Sequence, residues 1–173
     1  TRTHAQLTMS IYEQQAWFFD FDGVLLDTTL IKAQMLVNLL PGLTPTEAEA
    51  ITSPNEGTLR FVISGTPHDE INAICKHLKI RRHFERVVGS PTSKPDWIGK
   101  ILNHYGLDSR QAVMIGDSLT DWQAAQDTGI AFLGIDAHDL EILPPSETVF
   151  PDLRQLKSKI ARLIQPVKLE TTP

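Results

Sequence analysis

The chain has 173 residues, which suits one domain with a sizeable core. Hydrophobic residues make up 41% and charged residues 21% of it, the proportions of an ordinary globular protein. The formal net charge of -5 disfavours a nucleic-acid or membrane surface. An anionic substrate would therefore have to be held by local cations and backbone amides.

The single cysteine and the hydropathy of the chain further restrict the class of protein. Cys75 is the single cysteine, which excludes an internal disulfide and a cysteine zinc site. Its helical spacing from Ile71, Ile74 and Leu78 predicts a core thiol. No apolar stretch is long enough to span a membrane, and the first residues lack the pattern of a signal peptide. We therefore expect a cytoplasmic protein.

In chain order, strands alternate with helices after a loose lead-in over residues 1–15. The pattern predicts strands at 16–21, 59–63, 86–88, 112–115, 130–133 and 148–150. It predicts helices at 30–40, 46–51, 67–78, 95–105, 119–127 and, after a cap at Asp152, from 153 to about 164. Thr66 is expected to cap the third helix and Ser118 the fifth. The alternation predicts an α/β class, a doubly wound three-layer fold with a parallel sheet of five to six strands. One core domain would span 16–165, with a tail at 166–173.

The most informative segment is the apolar run that ends in Asp20 and Asp22. Alternation along an extended chain points these two carboxylates to the same side. Two anions at the end of a buried strand repel each other and are costly to desolvate, so a cation is expected beside them. An Asp-Xaa-Asp sequence can also simply mark a turn.

Other polar residues follow their own strands or turns: Ser64, Gly65, Lys94 and Asp117. In a parallel sheet the carboxyl ends of the strands share one edge, so one crevice can hold them all. Oxygen ligands of this kind suit Mg²⁺, while Ser64, Lys94 and the amides near Gly65 could hold phosphoryl oxygens. Taken singly, Ser64-Gly65-Thr66-Pro67 is a good strand-to-helix turn, Lys94 a typical solvated lysine, and Ser118 with Asp121 a capping box.

The stretch Phe19-Asp20-Phe21-Asp22-Gly23-Val24-Leu25-Leu26-Asp27-Thr28 closely resembles the first motif of the haloacid dehalogenase (HAD) superfamily of phosphohydrolases. Ser64 resembles the second motif, Lys94 in Ser93-Lys94-Pro95-Asp96 the third, and Gly116-Asp117-Ser118-Leu119-Thr120-Asp121 the fourth. The resemblance covers most of the chain and is nearest to the phosphoglucomutase and phosphoglycolate phosphatase branch. It implies Asp20 as nucleophile, Asp22 as general acid and base, and Ser64, Gly65 and Lys94 as phosphate-binding residues. It implies a Mg²⁺ site at Asp20, Asp22 and Asp117, supported by Asp121 and Ser118.

One departure concerns the cap, which in that branch is a large helical insertion between the first two motifs. Here only residues 28–58 are available, enough for two short helices. Because caps exclude water and contact the leaving group, the substrate is harder to infer than the chemistry. A reduced cap suits a bulky phosphorylated substrate, or a second subunit that covers the crevice.

The first interpretation is thus a Mg²⁺-dependent phosphomonoesterase that acts through an aspartyl-phosphate on a small or larger phosphorylated substrate. A dehalogenase is less favoured, because it needs neither an acid at position 22 nor a metal. A phosphomutase must keep water out, for which so small a cap is poorly suited. From a different class, the chain could be a catalytically idle module that binds a phosphorylated partner, although it keeps the complete set of acids.

Overall fold

The computed structural model describes residues 14–22, 58–136, 140–145 and 149–151. The reduced cap, the two helices expected within it, the final helix and the C-terminal tail lie outside these residues. Those expectations, the domain limits and an oligomer that covers the crevice stay predictions.

A parallel sheet forms the centre of the described part. Its six strands lie in the order β3-β2-β1-β4-β5-β6, and every neighbouring pair runs parallel. They are β1 (Ala16–Phe19), β2 (Leu59–Pro67), β3 (Arg86–Ser90), β4 (Ala112–Gly116), β5 (Ala131–Ile135) and β6 (Val149–Phe150). The predicted α/β class with a parallel sheet is confirmed.

Helices cover both faces of this sheet. They are α1 (His68–His77), α2 (Lys94–Tyr105) and α3 (Leu119–Thr128), and short 3-10 turns occupy Arg81–His83 and Ser109–Gln111. Buried residues of α1 join one core cluster, and those of α2 and α3 join another. Within the described ranges, no helix is both long and apolar enough to cross a membrane.

Alternation along β1 explains how one strand serves both cores. Trp17 and Phe19 pack in the cluster that contains α1, whereas Ala16 and Phe18 pack in the cluster that contains α2 and α3. All four are fully buried, as expected for a central strand of a parallel sheet. Burial of each large side chain contributes about 1.5–3 kcal/mol. The predicted core thiol is also confirmed, since Cys75 is buried and burial raises its pKa to about 12.

Helix boundaries agree with the prediction for α2 and α3 and differ for α1. The Ser118 hydroxyl caps α3, as predicted, by accepting a hydrogen bond from the backbone of Asp121. The predicted Thr66 cap is wrong, because β2 continues to Pro67, which pairs with Ser90. The Thr66 amide instead donates to Ser64 Oγ at 3.0 Å, which makes a tight turn within the strand end.

The sheet order also places the polar strand ends. β1 lies between β2 and β4, so the direction of winding reverses beside it. Ligands of doubly wound sheets bind at such a switch point, beyond the carboxyl ends of the strands. Asp20 and Asp117 directly follow β1 and β4, as the sequence predicts, whereas Ser64 lies within the last residues of β2.

Candidate active site

Asp20 is the centre of the site and follows β1 directly. Its backbone amide donates to the carbonyl of Ile115 at 2.9 Å, which keeps the residue in line with β4. Only 5% of Asp20 is exposed, although it is an acid. Burying a carboxylate without a partner is costly, so its neighbours decide whether it can be ionised.

Lys94 is the cationic partner, and it reaches Asp20 from the first turn of α2. Its Nζ donates to Asp20 Oδ1 at 2.9 Å and also to Asp121 Oδ1. The Lys94 side chain is only 11% exposed. The lysine is therefore an internal ion-pair partner, and the alternative of a solvated lysine is wrong.

Asp121 is fully buried and uses both of its oxygens. Oδ1 accepts from Lys94, while Oδ2 accepts from the Asp117 amide at 3.3 Å, the Ser118 amide at 3.2 Å and the Ser118 hydroxyl at 2.8 Å. The capping box of α3 is thus formed, and the same carboxylate also holds the lysine. The Asp121 carboxylate therefore belongs both to the cap of α3 and to the candidate site.

The described residues contain one group of acids that could hold a metal ion. Asp20, Asp117 and Asp121 each offer one carboxylate oxygen, and these atoms lie within 4.8 Å of one another. Three carboxylates face the single ammonium of Lys94, so a divalent cation would balance the charge. The predicted metal set contained Asp22 in place of Asp121. The Asp22 side chain is half-buried and hydrogen-bonds to Thr66, and its role as a metal ligand stays a prediction.

Burial dominates the electrostatics of these acids. Desolvation, followed by repulsion from Asp121, raises the pKa of Asp20 to about 8 despite the nearby ammonium of Lys94. Desolvation also raises the pKa of Asp22 and of Asp117. For Lys94, desolvation is outweighed by the Asp20 and Asp121 carboxylates, so its pKa is raised as well. The raised pKa values of Asp20 and Asp117 mean that a further cation beside them would favour their ionised forms.

The predicted phosphate-binding turn lies at the end of β2, next to β1. Ser64 is buried, whereas Gly65 is exposed and its side-chain position faces open space. On the other side, Gly89 of β3 comes so close that a Cβ there would lie 2.2 Å from the carbonyl oxygen of Thr66. The turn is therefore backed by the neighbouring strand at Gly89, and it has open space at Gly65.

Sequence reasoning missed the glycine that makes room for Asp121. A Cβ at Gly116 would lie 2.3 Å from Asp121 Cβ and 2.6 Å from its Cγ. Glycine is thus required where β4 ends beside the first turn of α3. The signal was visible, since a glycine directly before the first acid of the fourth motif is where a close backbone approach would be placed.

A fold of this topology, with buried acids and a lysine at the switch point, defines a class of α/β hydrolases. The family profile of haloacid dehalogenase-like hydrolases matches residues 48–135, about half of the chain. The chain belongs to this family.

Curated relatives agree with this assignment. A 5'-nucleotidase of Pseudomonas aeruginosa is 30% identical over 84 residues, which is 46% of this chain and 38% of that protein. A phosphoglycolate phosphatase of Pseudomonas fluorescens is 28% identical over 110 residues, 58% of this chain and 40% of that protein. The matches span about two fifths of the length of these relatives.

Solved structures support the fold. One is the cobalt-bound form of the deoxy-D-mannose-octulosonate 8-phosphate phosphatase from Haemophilus influenzae. It superposes with a TM-score of 0.67 at 14% identity, covering 89% of this chain and 91% of that one. At this identity the likeness concerns the fold alone.

Proposed function

We propose that this chain is a Mg²⁺-dependent phosphomonoester hydrolase that forms an aspartyl-phosphate on Asp20. The observation that carries the proposal is the buried ion-pair network in which Lys94 joins Asp20 to Asp121 at the switch point of the sheet. The names of the two curated relatives, both phosphatases of small molecules, favour a small phosphomonoester as substrate class.

The donor set fits a hard divalent cation. Carboxylate oxygens are the ligands that Mg²⁺ takes in proteins, together with water and substrate phosphate. Because both oxygens of Asp121 are already engaged, Asp20 and Asp117 would hold the ion and Asp121 would support the arrangement. Bound there, Mg²⁺ would neutralise the acids and polarise the phosphoryl group.

The residues around Asp20 account for the two halves of the reaction. The Asp20 carboxylate attacks phosphorus, and the bond to the leaving oxygen breaks. Asp22 donates a proton to that oxygen, then accepts one from the water that attacks the aspartyl-phosphate, which releases inorganic phosphate. The raised pKa of Asp22 favours the protonated form that the first half requires.

Lys94 and the phosphate-binding turn at the end of β2 would hold the phosphoryl group that is transferred. The Lys94 ammonium offers a third N–H beyond those it gives to Asp20 and Asp121. Ser64 and the backbone amide of Gly65 would bind further phosphoryl oxygens. Charge that develops in the transition state is stabilised best by such fixed donors.

The direct test is hydrolysis of para-nitrophenyl phosphate with Mg²⁺ and with a chelator. We expect turnover with Mg²⁺ only, almost none in Asp20→Asn, and a loss of about 10²–10⁴-fold in Asp22→Asn. Asp117→Ala should raise the Mg²⁺ concentration required. Thermal unfolding controls for folding, since Asp20→Asn removes one repelling charge and should not destabilise the metal-free protein.

Two results would contradict the proposal. Full activity in thorough chelation would remove the metal role, and substantial activity in folded Asp20→Asn would remove the nucleophile. A wild-type chain that binds beryllium fluoride with Mg²⁺ but hydrolyses no phosphomonoester would favour the alternative of an idle phospho-ligand module.

A further inference from the structure

An aromatic contact links the phosphate-binding turn to the helix that carries Lys94. Trp97 lies on α2 one turn after Lys94, and its Nε1–H donates to the carbonyl of Gly89 at 2.9 Å. The rings of Trp97 and His68 stack, with centroids 5.9 Å apart and planes 24° from parallel.

Gly89 is the point where these contacts meet. Its carbonyl accepts from Trp97, its amide donates to His68 Nδ1 at 3.4 Å, and its Cα lies against the backbone of Thr66. His68 is held in turn by Asn72, whose side-chain amide donates to the carbonyls of His68 and Val87. The end of β3 is thereby attached both to α2 and to the phosphate-binding turn at the end of β2.

The need for such a link follows from the geometry of Lys94. Its side chain is long, and both of its described partners belong to other elements, Asp20 after β1 and Asp121 in α3. The turn with Ser64 and Gly65 comes from a different strand. A phosphoryl group can be held by both only if the first turn of α2 keeps a fixed distance from that turn.

We propose that Trp97 is a positioning residue: through Gly89 and His68 it sets the first turn of α2, and hence Lys94, relative to the phosphate-binding turn. The inference rests on the proposed function for its catalytic consequence, but not for its structural one. The Arg86 guanidinium and the Lys100 ammonium lie 5.6 and 5.2 Å from the centre of the Trp97 ring, which further restricts the indole.

The variants are Trp97→Phe, which keeps a ring for stacking and loses the donor, and Trp97→Ala, which loses both. The matched control is Tyr105→Phe at the other end of the same helix, where the ring of Tyr105 packs on Phe61 and reaches no site residue. Beryllium fluoride titration with Mg²⁺ counts the active sites, so that partial unfolding is not read as slow turnover.

We expect kcat per active site to fall about tenfold in Trp97→Phe and about a hundredfold in Trp97→Ala, because small misplacements of catalytic groups have effects of this size. KM should change less, and Tyr105→Phe should match the wild type. A merely structural role would lower the melting temperature and the number of active sites while leaving kcat per site unchanged, which would overturn the proposal.

Hydrogen–deuterium exchange gives a readout that does not depend on activity. In Trp97→Phe, amide exchange should become faster both in residues 64–68 and at the start of α2, and Tyr105→Phe should leave both unchanged. Faster exchange confined to α2 would overturn the inference. If the wild type proves inactive, the proposed function fails, and this exchange experiment still decides on the link.

Discussion

Asp20 shows what a buried acid at the end of a strand requires from its neighbours. It is almost fully buried, it has one ammonium partner, and two further acids lie close to it. The adjacent carboxylate of Asp121 accepts hydrogen bonds from four donors, which hold it in place beside Asp20. A residue in this position is ready to bind a cation and poorly stabilised without one.

A pH dependence follows from the raised pKa of Asp20. Its pKa is about 8 in the folded chain and near 3.8 when unfolded, so the folded state binds the proton more tightly. Stability from this group is complete below about pH 4 and is lost as the pH rises toward 8. In chelator, the melting temperature of Asp20→Asn minus that of the wild type should therefore increase from pH 5 to pH 8. A difference that stays constant would contradict the raised pKa, and added Mg²⁺ should reduce the increase.

For single residues, the sequence predicts which side chains lie near one another but not their contacts or their burial. Asp20, Lys94 and Asp117 can be placed at one edge because strand ends are visible in the local pattern. The contact between Lys94 and Asp20 joins positions 74 residues apart, and no local pattern encodes it. The buried state of Asp121 was likewise hidden, because a capping box is also common on exposed helices.

At the scale of elements, Gly116 lets β4 and α3 approach closely enough for Asp121 to be buried. Gly116→Ala should destabilise the chain by about 1–3 kcal/mol, the usual effect of an added methyl group in a packed core, and should lower activity by displacing Asp121. Gly99→Ala is the control, since a Cβ in that part of α2 meets no atom within 4 Å. The free energy of unfolding of Gly99→Ala should be about 0.5–1 kcal/mol higher than that of the wild type, and its activity should be unchanged. Equal melting temperatures for the two variants would refute this account.

The caps of α2 and α3 give a second matched comparison. Ser93 and Ser118 both accept a hydrogen bond from a backbone amide three residues later, but Ser118 also donates to Asp121. Each Ser→Ala change should cost about 1 kcal/mol of stability through the lost cap. Only Ser118→Ala should also reduce kcat, because it removes the shortest of the three hydrogen bonds to Oδ2 of Asp121, the carboxylate that holds Lys94. Steady-state kinetics beside urea unfolding would separate the effects, and equal kinetic losses would contradict the distinction.

Element positions were largely predictable, and the exceptions have physical causes. The sheet and helices α2 and α3 follow from local hydrophobic periodicity and capping residues. The start of α1 does not, because Thr66-Pro67 has a good helix-start pattern while pairing with β3 extends β2 through it. Tertiary pairing overrides the local preference there, and the same close approach of β3 creates the link through Gly89.

The molecule as a whole has a net charge of -5, which repels a phosphate ligand. Phosphate binding therefore depends on positive groups within the site itself. In the proposed site, an anionic ligand would be held by Lys94, by Ser64 and Gly65 of β2 and by a metal bound to the acids. Ligand binding should therefore require the metal, since without it the acids repel a phosphoryl group. Binding of the two should be mutually dependent.

This coupling can be measured by stability alone. At concentrations near 100 times the dissociation constant, Mg²⁺ with beryllium fluoride should stabilise the wild type by about 2.7 kcal/mol, which raises the melting temperature by roughly 5–10 °C. Either component alone should have a much smaller effect. Asp20→Asn should lose the joint effect because the fluoride complex needs the carboxylate, and Lys94→Ala should weaken it by removing the ammonium. Gly99→Ala should retain it in full. Equal stabilisation by beryllium fluoride with and without Mg²⁺ would show that the acids do not need a cation to accept a phosphoryl group.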